Sequence, residues 1–164
     1  MSRESIIICE GLSPNPEEHV HPSAFKQLQA LLNQSAFWAK DRQLQDLETA
    51  IAFSCPVISV WDEETLIGFA RATSDGVYRA GIWDVVIHPN YRGLGLGQDL
   101  IETLLDHPRM CNVERVYLTT TYQQAFYQKM GFETNSTTTM VRCAKDNEPT
   151  PPELMQDLVS QLKL

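Results

Sequence analysis

Between Val85 and Leu105 the chain reads VVIHPNYRGLGLGQDLIETLL, and no other stretch restricts the fold as much. An apolar run through Ile87 stops at Pro89, glycines stand at 93, 95 and 97 directly after Arg92, and Leu100, Ile101, Leu104 and Leu105 then recur at helical spacing. The pattern predicts a strand, a glycine loop and a helix in direct succession. Such a loop can turn successive N–H groups inward, and the helix end adds a positive dipole, so an anion can be cradled with little help from side chains. A pyrophosphate fits best. The alternative is a tight connection in which glycine only supplies positive φ. Two familiar phosphate patterns fail by counting: a Walker loop needs Gly-Lys-Ser/Thr where Gly97 is followed by Gln98 and Asp99, and G-x-G-x-x-G fits from neither Gly93 nor Gly95.

The rest of the chain arranges itself around that unit. At 164 residues, 43% of them hydrophobic, it is long enough for one compact domain and short for two. Ser5 to Glu10 reads as a first strand closed by Gly11. Phe25, Leu28, Leu31 and Leu32, then Leu44, Leu47 and Ile51, predict two helices ahead of the sheet. Phe37 and Trp38 between them read either as a flexible lid or substrate wall or as a plain hydrophobic junction. Val57 to Asp62 and Thr65 to Thr73 alternate at period two around a short turn, and Tyr78 to His88 follows, which predicts an antiparallel meander. Arg115 to Thr120 reads as a further strand, Tyr122 to Phe132 as a short helix closed by a left-handed Gly131, and Thr137 to Cys143 as a last strand. Residues 1–145 form the predicted domain. In the tail, 146–164, Leu154, Leu158 and Leu162 share one face of a short amphipathic helix that could dock on its own domain or on a second subunit.

Charge and cysteines exclude several classes. A net charge of -8 without a long Lys/Arg run repels nucleic acid and anionic membranes, so neither is an expected partner, whereas cationic amines would be drawn in. Cys9, Cys55, Cys111 and Cys143 are scattered without a C-x-x-C pair and read as reduced thiols. His19 and His21 have no cysteine or carboxylate at ligand spacing and read as a loop pair, so no metal is expected. No run approaches the ~20 apolar residues of a membrane span, and the apolar core of MSRESIIICEG is too short for a signal peptide, which points to a cytoplasmic protein.

VVIHPNYRGLGLG, Val85 to Gly97, resembles the acetyl-CoA signature of the GCN5-related N-acetyltransferases (GNAT), V-x-P-x-Y-R/Q-G-x-G-x-G/A. AFYQKMGF, Ala125 to Phe132, resembles the F-Y-x-K-x-G-F block these enzymes carry one strand later, in the same order and spacing. The likeness covers Ser5 to Cys143. Leu66 to Gly97 is similar in detail to the plastid and cyanobacterial branch that includes plant serotonin N-acetyltransferases. The resemblance implies an α/β fold with a mixed, mainly antiparallel sheet, flanked by helices and splayed between strands 4 and 5, with acetyl-CoA as cosubstrate in the gap. It implies that backbone amides of Arg92, Gly93, Leu94, Gly95, Leu96 and Gly97, together with Gln98, hold the pyrophosphate, and that Val85, Val86 and Ile87 offer main-chain partners to the pantetheine. A homodimer is the family expectation. This sequence departs from the family where an asparagine often precedes the tyrosine helix: TTYQQAFY places Thr120 there, with Thr120 or Thr121 to replace its hydrogen bond.

Acetyl transfer to a primary amine by direct attack needs a neutral nucleophile, a polarised thioester and a proton for the departing sulfur. Alkylamines, with pKa near 10.4, are protonated at neutral pH, so a base or a water chain must act. The family gives the acid role to the tyrosine of its F-Y pair, here Tyr127, and its reference pKa of about 10 suits a thiolate. The plant-like branch carries an aspartate in WDV as proposed base, here Asp84. By period two Asp84 would share a face with Ile82, Val86 and His88, and burial there would raise its pKa toward a useful value. Tying down a neighbouring loop is its alternative role. His88, beside Pro89, reads as a strand-end surface residue. A small, arylalkyl amine is the first expectation for the acceptor, with Phe37, Trp38, Tyr78 and Trp83 lining a slot. The alternatives are a protein lysine or N-terminal acetyltransferase, or a non-catalytic acyl-CoA-binding regulatory domain.

Overall fold

The strand, glycine loop and helix expected around Gly93–Gly97 form in direct succession in the computed structural model, which describes residues 3–137 and 139–142, and the strand is the fourth of a five-stranded sheet. The tail helix expected within residues 146–164, and Cys143, lie outside the described residues. Two units follow one another along the chain, Met1–Thr120 and Thr121–Leu164.

The first unit runs β1 (Ile6–Glu10), α1 (Ala24–Ser35), a 3-10 turn (Phe37–Ala39), α2 (Leu44–Ala52), β2 (Val57–Asp62), β3 (Thr65–Ser74), β4 (Arg79–Ile87), a 3-10 turn (Pro89–Tyr91), α3 (Leu96–Asp106) and β5 (Arg115–Tyr117). Strand order is β1-β2-β3-β4-β5, antiparallel up to β4 and parallel between β4 and β5. This is the mixed, mainly antiparallel α/β sheet expected from the resemblance. Leu28, Leu31 and Leu32 of α1 and Leu47 of α2 cluster with Val57, Trp61, Leu66, Phe69 and Val86 of the sheet. On α3, Leu96, Leu100, Ile101 and Leu104 are buried, and this helix packs on β2, β3 and β4. With helices supplying both sets of contacts, β2 and β3 are buried almost continuously and lose the alternation of a half-solvated strand. Ser59 is fully buried among them, yet it takes a hydrogen bond from Trp61 Nε1 at 2.8 Å and donates to the Gly11 carbonyl at 2.7 Å.

Two departures from regular pairing shape the site. Phe69 pairs with Val86 and Arg71 with Trp83, so Asp84 and Val85 together stand opposite Ala70. That extra residue is a β-bulge, and Asp84 carries it at φ 55. The period-two expectation therefore fails here: Ile82 pairs with Ala72 and Val86 with Phe69, positions that alternate to opposite faces of β3. The second departure is at β5, which is shorter than the expected Arg115 to Thr120. Its ladder ends at Gly81↔Tyr117, so β4 from Ile82 to Ile87 has no ladder partner on that side among the described residues. The strands part there, as the resemblance implies.

In the second unit α4 (Gln124–Gln128) is shorter than the helix expected over Tyr122 to Phe132. Gly131 is left-handed at φ 85, and the Phe132 amide donates back to the Tyr127 carbonyl at 3.2 Å. The last predicted strand is not formed by its described residues, 137 and 139–142. Met140 and Val141 lie 91% and 82% exposed. A β-branched run without a neighbouring strand has nothing to satisfy its backbone in a ladder.

Candidate active site

The chain leaves β4 through a turn that is fixed on both sides. His88 Nδ1 accepts from the Asn90 amide at 3.2 Å, while Tyr91 donates its hydroxyl to Asp62 Oδ2 on β2 at 2.7 Å. Ser5 donates to the other oxygen of Asp62, and the two hydroxyls hold that carboxyl below its ordinary range. Gly93 and Gly95 then take φ 78 and φ 80, the left-handed region that side chains disfavour, and Gly95 caps α3. The Gly95 carbonyl accepts from the amides of Gln98 and Asp99 at 3.0 and 3.2 Å. Among the described residues, the amides of Gly93, Leu94, Gly95, Leu96 and Gly97 donate to no acceptor. A Cβ placed on Gly93 would meet nothing within 4 Å, and one on Gly95 would meet only the Arg3 guanidinium, at 3.8 Å. Five unpaired N–H groups at a helix N-terminus, with open space beside them, fit a diphosphate.

Side chains contribute little to this loop. Arg92 turns back, its Nε donating to the Ile87 carbonyl at 3.3 Å, and burial lowers its pKa. Leu96 points into the core. Arg3 pairs with Asp99 in the first turn of α3 and so leaves a cation near Gly95 that the sequence reading missed.

The bulge builds a second feature from side chains. Asp84 Oδ2 accepts from Arg71 Nε at 2.7 Å and from Arg42 Nη1 at 2.9 Å, and the Asp84 side chain is only 7% exposed. Arg71 Nη1 also donates to Ser54 Oγ at 3.1 Å. Burial pushes the Asp84 pKa up, but the hydrogen bonds and charges of Arg42 and Arg71 outweigh it and hold the carboxyl below its ordinary range. The raised pKa expected for a base is thus reversed. Asp84 ties β3 and the segment before α2 to the bulge. Arg42 and Arg71 were missed by the sequence reading, although an arginine in the apolar run LIGFARAT was a signal that a carboxylate must sit nearby.

Tyr127 on α4 is half-buried between Phe126 and Phe132, edge to face at 5.0 and 5.8 Å, and burial pushes its pKa up to about 12. Thr120 is half-buried beyond β5 and engaged in the structure. Of the four aromatics expected to line a slot, Phe37 and Trp38 meet edge to face at 5.0 Å. Trp83 instead donates Nε1 to Thr73 at 2.9 Å, and Tyr78, 62% exposed, lies beyond the far end of β4 from the bulge. His21 packs its ring on Trp61, and no group of His, Cys, Asp and Glu able to hold a metal occurs among the described residues. No helix there is long and apolar enough to cross a membrane.

A family model described as the acetyltransferase (GNAT) family matches residues 25–132. The chain belongs to that family. Among GNAT relatives, the protein named uncharacterized N-acetyltransferase ycf52 of Pyropia yezoensis is 40% identical over 103 residues, 60% of this chain and 59% of that protein. The chain thus spans about three fifths of the length of that relative. A ycf52-like relative from Prochlorococcus marinus, also named an uncharacterized N-acetyltransferase, is 35% identical over 136 residues, 76% of this chain and 73% of that protein. These relatives agree with the plastid and cyanobacterial branch of the family. A GNAT-family crystal structure from Xanthomonas campestris pv. campestris superposes with a TM-score of 0.68 at 24% identity, covering 80% of this chain and 86% of that one, which shows the GNAT fold.

Proposed function

We propose that this chain is an acetyl-CoA-dependent N-acetyltransferase that moves an acetyl group to a small arylalkyl amine by direct attack in a ternary complex. The observation that carries the reading is the row of unpaired amides from Gly93 to Gly97 at the start of α3, in a chain of the GNAT family. Acetyl-CoA, when bound, supplies an activated thioester. The loop amides would hold its diphosphate, and the side of β4 at Val85, Val86 and Ile87 that has no ladder partner would receive the pantetheine, with the Ile87 carbonyl already taken by Arg92 Nε. A main-chain amide near Val86 is the proposed donor to the developing oxyanion. Tyr127 is the proposed acid: with its pKa pushed up to about 12 it stays protonated throughout the working range, and although the same burial makes it a weaker acid than its reference value of about 10, it is the group proposed to give a proton to the departing sulfur. Because its lowered pKa makes Asp84 a weak base and Arg42 and Arg71 both occupy its Oδ2, a water chain leading to solvent is the proposed path for the amine proton, and Asp84 positions the bulge. Phe37 and Trp38 support an aromatic acceptor.

The test is thiol release from acetyl-CoA by the purified chain with arylalkylamines, polyamines, amino acids and lysine peptides. Fastest turnover with a small amine, and a loss of about a hundredfold or more in kcat for Tyr127→Phe, is the expected result. Turnover of peptides alone would assign a protein acetyltransferase. Binding of CoA without release from any acceptor would assign a regulatory acyl-CoA-binding domain.

A further inference from the structure

The ion cluster at the bulge is unbalanced. Two guanidiniums converge on one oxygen of one carboxylate, leaving a surplus positive charge in a chain whose net charge is -8. Arg71 is 18% exposed and also bonded to Ser54, so its place is settled within the fold. Arg42 is different. Its side chain is 32% exposed, only Nη1 is engaged, and Nε and Nη2 have no partner among the described residues. Asp41, its chain neighbour, forms no ion pair among them and so does not supply the missing charge. A partly desolvated surplus charge is unfavourable until an anion meets it, and the planar guanidinium fork matches a carboxylate.

We propose that Arg42 receives a carboxylate carried by the acetyl acceptor, so that the acceptor is an amine bearing both an aromatic ring and a carboxylate. The inference rests on the N-acetyltransferase reading and narrows its substrate class. Two placements support it. Asp84, which holds Arg42, directly precedes the Val85–Ile87 edge proposed for the pantetheine. The aromatic pair Phe37 and Trp38 lies on the same short connection as Arg42, between α1 and α2. Ring, carboxylate and amine would thus each have a neighbour within one unit of the fold.

The experiment compares kcat/KM for phenethylamine, phenylalanine and 4-(2-aminoethyl)benzoate in the intact chain, in Arg42→Gln and in Arg42→Lys. At least one carboxylated acceptor should exceed phenethylamine by about tenfold or more, the order of one charge-assisted pair. In Arg42→Gln that ratio should fall to about one through KM, Arg42→Lys should keep part of it, and Lys40→Gln, which removes an exposed cation two residues before Arg42, should keep all of it. CoA affinity, measured by calorimetry, should change less than about twofold in Arg42→Gln; a parallel loss would assign the guanidinium to a phosphate of CoA and overturn the proposal. Equal or better turnover of phenethylamine would also overturn it while leaving the acetyltransferase reading intact. Should no amine be turned over, the Arg42 Nε–Hε resonance decides by itself: displacement by phenylalanine and not by phenethylamine upholds the carboxylate site, and no displacement refutes it.

Discussion

The glycine loop and the bulge cluster, the two anion sites proposed for this chain, are built in opposite ways. From Gly93 to Gly97 the donors are backbone amides, held by two left-handed glycines and a helix terminus, with Arg92 turned away. At Asp84 the backbone is bent by one inserted residue, and the chemistry comes from side chains contributed by three separate stretches, Arg42, Arg71 and Asp84. On this account the first design should tolerate a change of side chain but not of backbone, and the second should be weakened, without harm to CoA binding, by the loss of any one partner. It follows that cosubstrate binding and acceptor choice can be damaged separately.

The largest effect that would sharpen this contrast is expected at Gly95. Valine there must adopt φ 80 at the cap of α3, and since left-handed backbone is especially costly for a β-branched residue, CoA affinity should fall by about a hundredfold by calorimetry. Next comes Asp84→Asn, which leaves two guanidiniums facing a neutral amide. Discounted for the partial exposure of both arginines, its cost should be about 1–3 kcal/mol by urea unfolding, with CoA affinity unchanged within about twofold. A third expectation concerns acid. The folded-state pKa of Asp84 is lowered, so its contribution is complete above the unfolded value of about 3.9 and is lost as pH falls through the folded value beneath it. Stability should therefore decline more steeply below about pH 4 in the native chain than in Asp84→Asn. The smallest effect is expected for Arg92→Gln, whose side chain bonds Ile87; CoA should weaken by no more than about threefold, under 1 kcal/mol. A loss of tens-fold there would break the contrast, because the loop would then depend on a side chain.

The same contrast explains what could be read from the sequence. Left-handed backbone at Gly93 and Gly95 strongly favours glycine, so the loop leaves a mark in the chain at its own position. The meander and the helices α1 to α3 were legible because their apolar residues repeat at periods set by local geometry. A bulge leaves no such mark: one extra residue in β4 moved Asp84 away from the face that simple alternation assigns to it. Arg42 stands far from Asp84 in the chain, a pairing that only the packed fold brings about. Residues 137 and 139–142 show the reverse error: their composition favours a strand, yet they pair with no strand among the described residues.

The most direct test of the central claim is a titration of uniformly 15N-labelled protein with CoA, followed through backbone amide resonances. The account predicts that the largest displacements fall on Gly93, Gly95 and Gly97, and that they persist in Arg92→Gln. Saturable binding with those three amides unmoved, and the displacements gathered elsewhere, would contradict it.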